Sequence, residues 1–296
     1  MKAATTNIKD FSGYRLLACF AHPDDEAFPV GGTLAMYSSL GASIALITTT
    51  SGQLGEIRQD GIATKDTLGS VRSSELRESA HVLGIDRLNI LSYKDSGMAG
   101  WDANKDPDAF INANPDTVRS QLVTEIRAFK PHVILTFEPT GLYGHPDHIA
   151  ISQQTTDAFH YSNKKSYEPD PYHPTAPWEV SKLIYCARPL GYRKEWYEQL
   201  IASGVEMPEP STEQLTHGTP PEEIDFIQDV SDYLDQKIRS ILCHKTQTGP
   251  NWPYRNAPEK VLKSILGFEH YMQIYPKLVS RNQRQEPLGI FNGVEI

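Results

Sequence analysis

The 296 residues of this chain have the composition of an ordinary folded protein, with 39% hydrophobic and 22% charged residues. A net charge of -9 argues against nucleic acid as a partner, because proteins that bind it carry basic surfaces. No apolar run approaches the ~20 residues that span a bilayer, and the N-terminus lacks the apolar core of a signal peptide, so we expect a cytoplasmic protein without a membrane span.

Short apolar runs alternate with stretches of helical periodicity along the first two thirds of the chain. The runs predict strands at 15–20, 43–48, 87–91, 132–137 and 182–187. The periodic stretches predict helices at 32–40, about 70–85, 116–130 with Asp116 as the N-cap, and 149–161. The alternation of strand and helix predicts right-handed βαβ units with parallel strands.

The connections and the C-terminal part are less regular. The polar stretch 49–67 is too long for a simple strand-to-helix turn and predicts a functional or mobile loop. The stretch 98–115 is a predicted surface loop, and 169–177 is a proline-rich linker. Beyond it, the segments 195–203, 230–244 and 259–266 predict a mainly helical extension. We therefore expect an α/β protein with a mostly parallel sheet, forming a single domain over 1–296, with its core at about 14–162 and a C-terminal part at about 178–296.

Two polar clusters each follow a predicted strand: His22-Pro-Asp-Asp-Glu26 and His145-Pro-Asp-His148. Neighbouring parallel strands end at one edge of a sheet, so both clusters can face one crevice. Their imidazoles and carboxylates are the ligands of a hydrolytic zinc site, which keeps one position open for water. The best ligand set is His22, Asp25 and His148, and such a mixed nitrogen and oxygen site also accepts Fe(II) or another divalent metal.

The remaining polar residues of the clusters suit acid–base chemistry. Asp24, adjacent to the ligands, is the expected general base that takes a proton from the attacking water. His145, as an imidazolium, would stabilise the oxyanion or donate a proton to the leaving group, and Asp147 would orient its ring. Tyr143 is a further hydrogen-bond donor toward a substrate carbonyl.

Other interpretations are open for parts of this pattern. Taken alone, each cluster is explained equally well as a solvated loop or as part of a functional site. The occurrence of both clusters at strand ends favours the functional site. Glu26 either caps the following helix or supports a ligand. Gly31-Gly32 lacks the Walker and dinucleotide patterns and predicts close backbone packing instead. The three cysteines, which lie far apart, predict reduced thiols.

Four motifs, in matching order and spacing over about residues 15–155, resemble the LmbE/PIG-L-like superfamily of metal-dependent N-acetylglucosaminyl deacetylases: Ala21-His-Pro-Asp-Asp-Glu26, Arg72-Ser-Ser-Glu-Leu76, Asp95-Ser-Gly97 and Tyr143-Gly-His-Pro-Asp-His148. The mycothiol-pathway deacetylases and amidases are the most similar branch. One departure is Thr140-Gly-Leu-Tyr143, where mycothiol-type enzymes tend to carry Gly-Gly-Tyr.

The resemblance implies a Rossmann-like sheet with helices on both faces. It implies that His22, Asp25 and His148 bind the metal, that Asp24 is the base and that His145 is the acid. It also implies that Arg72 and Asp95 hydrogen-bond the sugar hydroxyls, and that the C-terminal part shapes the substrate site. The structural alternatives are a helix-surface salt bridge for Arg72 and a turn-forming role for Asp95.

The function expected from these residues is that of a zinc-dependent hydrolase. It would remove the N-acetyl group from a small N-acetylglucosamine-containing molecule and release acetate and a free amine. The alternatives are a metal-dependent amidase acting on a larger thiol or antibiotic conjugate, or a non-catalytic sugar-binding homologue. The pairing of Asp24 with His145 argues against the last of these, because a binding protein needs neither base nor acid. A homo-oligomer is compatible with the sequence.

Overall fold

Seven strands form one sheet in the computed structural model, which describes residues 10–278 and 289–296. The five predicted strands are confirmed, the second and third ending two residues later than expected. The strands are β1 Arg15–Phe20, β2 Ser43–Thr50, β3 Arg87–Tyr93, β4 Val133–Phe137, β5 Lys182–Ala187, β6 Phe226–Asp229 and β7 Phe268–Tyr275.

The helices alternate with these strands in the first half of the chain and predominate after β5. No described helix is long and apolar enough to cross a membrane. The helices are α1 Gly31–Ser39, α2 Leu68–Leu83, α3 Pro115–Phe129, α4 Gly141–Gly144, α5 Pro146–Ser162, α6 Tyr192–Ala202, α7 Thr212–Thr216, α8 Leu234–Cys243, α9 Lys245–Thr248 and α10 Glu259–Leu266.

The order of the strands is β3-β2-β1-β4-β5-β7-β6. The strands from β1 to β5 pair in parallel, and β7 is antiparallel to both β5 and β6. The chain moves outward from β1 through β2 to β3 and then returns to place β4 on the other side of β1. The strand order therefore reverses between β1 and β4, which is the position where open α/β sheets bind their ligands.

Helices cover the sheet in two groups, as the resemblance implies. α1 and α2 pack with α8, whereas α3 packs with α5. Right-handed crossovers that run in opposite directions along a sheet place these groups on opposite faces. The strands between them are buried, as the residues of β1 from Leu16 to Phe20 are at most 1% exposed. The predicted α/β, mostly parallel architecture is thus confirmed.

Two helix starts differ from their predictions. The side chain of Asn114, rather than that of Asp116, caps α3 by accepting hydrogen bonds from the backbone N–H groups of Asp116 and Thr117. The next long helix, α5, begins at Pro146 and not at 149. In both cases a proline occupies the first helical position, where its missing N–H costs nothing. The early start of α5 brings the second polar cluster into its first turn.

The C-terminal part contributes two strands, β6 and β7, that the sequence does not predict. Along β7 the more buried positions carry Glu269, Tyr271 and Gln273, whereas Phe268 is exposed. The alternation of the strand is present, but polar groups are on its inner face, so hydrophobicity does not reveal it. The remainder of this part is mainly helical, as expected.

The glycine pair at the start of α1 packs closely, as predicted. A Cβ atom on Gly32 would lie 2.4 Å from Cγ2 of Val230. The carboxylate of Glu269 accepts hydrogen bonds from the N–H groups of Gly32 and Thr33, both at 2.9 Å. A side chain from β7 therefore occupies the anion position at the start of α1 that a phosphate would otherwise take. Cys19, Cys186 and Cys243 are free thiols, in agreement with the prediction.

Candidate metal centre and active site

The two polar clusters meet at the edge of the sheet where β1 and β4 end. Nδ1 of His22 lies 3.1 Å from Nε2 of His148. Oδ1 of Asp25 lies 3.2 Å from the same His148 atom, and Oδ2 of Asp25 lies 3.5 Å from Nδ1 of His22. All three residues are buried. The structure therefore brings the predicted ligand set together from loops that lie far apart in the chain.

The spacing of these three residues fits a tetrahedral metal site. Zinc binds histidine nitrogen and carboxylate oxygen at about 2.0–2.1 Å, which puts neighbouring ligands of a tetrahedron about 3.3–3.4 Å apart. The observed separations of 3.1, 3.2 and 3.5 Å are close to this edge length, with Oδ1 of Asp25 facing His148 and Oδ2 facing His22. His145 provides an alternative ligand, because its ring and those of His22 and His148 offer nitrogens within 4.8 Å of one another.

Each histidine of the predicted ligand set is oriented through its other ring nitrogen. Nε2 of His22 lies 3.1 Å from Oδ2 of Asp147, and Nδ1 of His148 lies 3.1 Å from the carbonyl oxygen of Gly141. A histidine metal ligand is ordinarily held in this way by a carboxylate or a carbonyl group. Asp147 is itself held by Ser96, whose backbone N–H and hydroxyl both donate to it.

The carboxylates around the centre favour a bound cation. Burial alone would lower the pKa of His22, but its contacts with Asp147, Asp25 and Asp95 raise that pKa well above its usual value. Burial alone would raise the pKa of Asp25, yet His148 and His22 hold it well below its usual range. The site therefore stabilises positive charge at His22 and negative charge on Asp25.

Asp24, the expected general base, is held in a strained backbone conformation. Its φ of 112° lies in a region that side chains other than glycine rarely adopt. Its N–H donates to Oε2 of Glu26 at 3.0 Å, and its Oδ2 accepts from Nη2 of Arg72 at 3.1 Å. Burial raises the pKa of Asp24 to about 6, against the opposing charge of Arg72. A carboxylate with this pKa is a suitable base near neutral pH.

His145 lies at the other side of the centre, with ring centroids 4.5 Å from His22 and 5.0 Å from His148. Burial and the positive charges of these two rings lower the pKa of His145 to about 2. Its Nδ1 accepts a hydrogen bond from the backbone N–H of Asp147 at 3.1 Å, which leaves the proton of the neutral ring on Nε2. In this arrangement Nδ1 of His145 is occupied as an acceptor and Nε2 is free to donate, and the imidazolium form stays a prediction.

The carboxylate of Asp147 contacts His22, and only the backbone of Asp147 contacts the His145 ring through a hydrogen bond. Asp147, which was predicted to orient the ring of His145, therefore contacts that ring through its backbone N–H in the first turn of α5. Tyr143 lies beside both histidines of that loop, with its ring centroid 5.0 Å from His148 and 6.2 Å from His145. Burial raises the pKa of Tyr143, so its hydroxyl keeps its proton.

Arg72 and Asp95 both lie next to the centre, with side chains already bonded within the protein. Arg72 is 3% exposed, so a helix-surface salt bridge is not its role. It donates to the carbonyl oxygen of Gly52 at 2.7 Å and to that of Pro23 at 2.5 Å. Asp95 accepts from Gly97 N at 2.8 Å, which is the turn-forming contact of the structural alternative, and its Oδ1 lies 3.5 Å from Nε2 of His22.

The long loop that follows β2 makes room for Arg72. A Cβ atom on Gly52 would lie 2.2 Å from Nη1 of Arg72, and one on Gly55 would lie 2.5 Å from it. The loop also supplies the N–H of Leu54, which donates to Oδ2 of Asp95 at 3.2 Å. The predicted functional loop therefore positions the two residues that the resemblance implies bind the sugar.

Three supporting residues, Ser79, Glu138 and His244, have no role in the sequence analysis. Oε1 of Glu26 lies 2.6 Å from Nε2 of His244 and also accepts from the hydroxyl of Ser79. Glu138, directly after β4, accepts from the N–H groups of Thr140 and Leu142, both at 2.6 Å. A supporting role for Glu138 could have been predicted from its position directly after a strand. The link from Glu26 to His244 has no local signal, because it joins opposite ends of the chain.

Glu138 stabilises a tight loop that departs from the mycothiol-type pattern. Leu142 has a φ of 66°, and it stands where those enzymes tend to carry glycine. A Cβ atom on Gly141 would lie 2.7 Å from Cβ of His148. The loop therefore packs directly against a predicted metal ligand, at the cost of one strained residue.

Comparisons with known proteins show the family of this chain. The family model described as PIG-L, GlcNAc-PI de-N-acetylase, matches residues 17–159. The 1D-myo-inositol 2-acetamido-2-deoxy-alpha-D-glucopyranoside deacetylase of Rhodococcus jostii is 32% identical over 293 residues, which cover 95% of this chain and 98% of the relative. This similarity extends through the C-terminal part, beyond the motifs around the centre.

Solved structures share the fold at lower identity. The N,N'-diacetylchitobiose deacetylase of Pyrococcus horikoshii is 18% identical with a TM-score of 0.62, and the match covers 88% of this chain and 83% of that one. The 4-carboxy-2-hydroxymuconate hydratase of Pseudomonas putida is also 18% identical, with a TM-score of 0.58 and coverage of 90% and 98%. A deacetylase and a hydratase share this fold, so the fold alone does not determine the reaction.

The switch-point crevice, with its buried histidines and carboxylates, defines a hydrolase of the α/β class whose residues could hold a metal ion. The chain belongs to the PIG-L family of de-N-acetylases. It is a deacetylase, an enzyme that hydrolyses an N-acetyl amide bond.

Proposed function

We propose that this enzyme removes the acetyl group from an N-acetylglucosamine unit carried by a small-molecule conjugate, with zinc as its metal, in the cytoplasm. The proposal rests mainly on the distances between the side-chain atoms of His22, Asp25 and His148. These distances are close to the spacing between the ligands of a tetrahedral zinc site. The name of the Rhodococcus jostii relative supports the sugar, and the three free thiols are typical of a reducing compartment.

A divalent cation held by His22, Asp25 and His148 would polarise the amide carbonyl and lower the pKa of the attacking water. Asp24 accepts the proton of that water. Its Oδ2 is held by Arg72, and its pKa of about 6 leaves it ionised at neutral pH. The backbone of Asp24 is held by Glu26, which accepts a hydrogen bond from its N–H, while Asp24 has a φ of 112°.

The opposite side of the site stabilises the developing negative charge. The hydroxyl of Tyr143 and the Nε2–H of His145 are donors for the substrate carbonyl oxygen as it becomes an oxyanion. When the tetrahedral intermediate collapses, the C–N bond breaks and the nitrogen takes up the proton that Asp24 received. The products are acetate and the free amine. In this proposal Arg72 and Asp95 also contact the sugar hydroxyls. Arg72 would do so with N–H groups, and Asp95 with oxygen lone pairs, that are not used in hydrogen bonds within the protein.

We further infer that the core and the C-terminal part act as one domain over 1–296. The pairing of β5 with β7 and of β7 with β6 supports this, since the C-terminal strands continue the same sheet. An amidase acting on a larger conjugate would use the same centre and differ only in the acyl group that it accepts. The presence of a base and a donor beside the ligands disfavours a non-catalytic sugar-binding protein.

The experiment is acetate release from N-acetylglucosamine glycosides by metal-loaded protein, with Asp24→Asn as the test variant. We expect Asp24→Asn to lower kcat by about 10²–10⁴-fold while zinc content, measured by elemental analysis, is retained. Asp235→Asn, on an exposed position of α8, is the matched control and should keep full activity. Full activity of Asp24→Asn would remove it as the base, and no acetate from any acetylated amino sugar would overturn the proposed function.

A further inference from the structure

Glu138 is a buried acidic residue directly after β4, and it is 4% exposed. Its backbone N–H donates to the carbonyl oxygen of Cys186 in β5 at 3.2 Å, so the residue is fixed to the sheet. Burying a carboxylate costs free energy unless hydrogen-bond donors surround it. The donors around Glu138 therefore show which part of the protein this carboxylate holds in place.

These donors belong to the loop that connects β4 to α5. The backbone N–H and the hydroxyl of Thr140 donate to the carboxylate at 2.6 and 2.7 Å, and the N–H of Leu142 donates to Oε1 at 2.6 Å. The carbonyl oxygen of Glu138 accepts from the N–H of Gly141 at 2.9 Å. Three consecutive residues of the loop are thus bonded to one residue at the end of the sheet.

One peptide group of this loop contacts both Glu138 and a proposed metal ligand. The peptide between Gly141 and Leu142 supplies the N–H that donates to Glu138. Its carbonyl oxygen, which is that of Gly141, lies 3.1 Å from Nδ1 of His148. A peptide group is planar and trans, so its C=O and N–H point in opposite directions and turn together. A change at Glu138 is therefore transmitted to His148 through a single rigid unit.

The contact with Gly141 fixes the tautomer of His148. A carbonyl oxygen can only accept, so Nδ1 of His148 carries the proton in this hydrogen bond. The lone pair of the neutral ring is then on Nε2, the atom that lies 3.1 Å from Nδ1 of His22 and 3.2 Å from Oδ1 of Asp25. This is the tautomer that a histidine needs in order to bind a metal ion through Nε2.

The orientation of this peptide group strains Leu142, which has a φ of 66° and a ψ of −39°. Residues other than glycine rarely adopt a positive φ. Rotation of the peptide by half a turn would give Leu142 a negative φ, and Gly141 accommodates such a change because it lacks a Cβ. The rotated peptide would turn its carbonyl oxygen away from His148. The hydrogen bond from Leu142 to Glu138 opposes this rotation.

We propose that Glu138 is a positioning residue for the metal centre, because it holds the peptide between Gly141 and Leu142 in the orientation that binds His148. The inference rests on the proposed function, in which His148 is a metal ligand, and deepens it by giving a role to a residue outside the ligand set. Without the carboxylate the peptide rotates and the His148 ring loses the acceptor that fixes its tautomer. Glu138 thereby raises the affinity for the metal through the loop.

Glu138→Met tests this role through the affinity of the protein for zinc, measured by competition with a chelator. Methionine has a similar size but no oxygen to accept the loop N–H groups. We expect zinc affinity to fall by about 10–100-fold, the usual effect of removing a group that orients a ligand. Glu138→Gln keeps one of the two oxygens and should give a smaller loss.

A second substitution separates positioning from loss of fold stability. Glycine at position 142 adopts a positive φ without strain, so the peptide no longer gains by rotating. Leu142→Ala also shortens the buried side chain but retains the strain. We expect Glu138→Met with Leu142→Gly to bind zinc about fivefold or more tightly than Glu138→Met with Leu142→Ala. Weaker or equal binding by the glycine variant would overturn the proposal, because a purely structural role predicts that order.

Glu75 provides the matched control for a buried carboxylate. It is 5% exposed and accepts the N–H and the hydroxyl of Thr246 at 2.8 and 2.6 Å, in the same way as Glu138 accepts those of Thr140. Its bonds hold α9 and not the loop before α5. Glu75→Met should therefore destabilise the protein and leave zinc affinity unchanged. Equal losses of zinc affinity in Glu75→Met and Glu138→Met would attribute the effect to general destabilisation and overturn the proposal.

His148→Ala distinguishes a failure of this inference from a failure of the ligand assignment. Loss of zinc in His148→Ala, with unchanged affinity in Glu138→Met, would overturn the positioning role and retain the proposed centre. Full zinc binding by His148→Ala would remove His148 from the ligand set, and the role of Glu138 with it. Circular dichroism establishes that each variant is folded. If Glu138→Met does not fold, Glu138→Gln combined with Leu142→Gly or with Leu142→Ala gives the same comparison and the same expected order.

Discussion

The carboxylate of Glu26 bridges the ring of His244 and the backbone of Asp24. Oε1 lies 2.6 Å from Nε2 of His244, and Oε2 accepts from the Asp24 N–H at 3.0 Å. Both side chains of the Glu26–His244 pair are completely buried. The end of α8 is thereby connected to the strained residue that we propose as the base.

Removing one partner of this pair should destabilise the fold. We expect His244→Ala to lower the free energy of unfolding by about 3–5 kcal/mol, because it removes the one basic side chain that contacts the buried carboxylate of Glu26 among the described residues. Urea unfolding of His244→Gln, Glu26→Gln and the double variant measures the coupling, which we expect at about 0.5–3 kcal/mol. His81→Ala, at an exposed position on α2, is the control. Additive effects of the two Gln substitutions would contradict a direct interaction.

Metal content should distinguish the two candidate ligand sets. We expect Asp25→Ala and His148→Ala to lose zinc on dialysis, because each removes a ligand at tetrahedral spacing. His145→Ala should retain stoichiometric zinc and lose activity, since we place its ring on the substrate side. Elemental analysis of the purified variants is the measurement. Zinc loss in His145→Ala together with full occupancy in Asp25→Ala would instead support the three-histidine set.

The two glycines at the start of α1 should respond differently to alanine. In Gly31→Ala the new Cβ would have its nearest neighbour at 3.5 Å, so we expect little change in stability. In Gly32→Ala the Cβ would lie 2.4 Å from Val230, and we expect a loss of about 1–3 kcal/mol from overpacking. Thermal unfolding of both variants is the measurement. Equal melting temperatures for the two single variants would refute the packing argument.

Lys182, at the start of β5, should give stability a distinct pH dependence. It is 4% exposed, and burial lowers its pKa from 10.5 to about 8. Between these values the unfolded chain binds more protons than the folded one, so stability rises with pH by up to about 1.4 kcal/mol per unit. Lys182→Met should lack this contribution.

Unfolding of Lys182→Met and of the unaltered protein at pH 8, 9 and 10 measures the effect. We expect the stability of the unaltered protein to increase relative to Lys182→Met over this range. Lys182→Arg is the control for charge, because arginine stays protonated throughout and should show no such increase. Parallel pH profiles for all three proteins would contradict the lowered pKa.

Much of the fold and the centre could be predicted because their signals are local. The first five strands are buried apolar runs, and the ends of β1 and β4 carry the histidines and acids that meet in the structure. The reversal of strand order is what joins these two ends. The strand–helix alternation implied that the strands are parallel and end at one edge of the sheet, but it did not predict their order. The close backbone packing at Gly32 was also predicted correctly. The basis of that prediction was that the sequence around Gly32 lacks a phosphate-binding pattern.

The remaining features depend on contacts between distant segments. β7 has its polar residues on the buried side, where Glu269 caps α1 and pairs with Lys237. The contact of Asp147 with His22 instead of His145 depends on the early start of α5, which turns the Asp147 side chain toward the first loop. Such pairings are decided by tertiary geometry, and no periodicity or spacing in the sequence encodes them.

The reversal of strand order between β1 and β4 also couples metal binding to folding. His22 and Asp25 belong to the first loop and His148 to α5, so the centre exists only after β4 has docked beside β1. An ion bound there connects the two halves of the sheet across their junction. Because binding to the native state alone stabilises it by mass action, an ion held by the proposed ligands would stabilise the junction of the sheet as well as take part in the reaction, and we expect a chelator to destabilise the sheet at its centre.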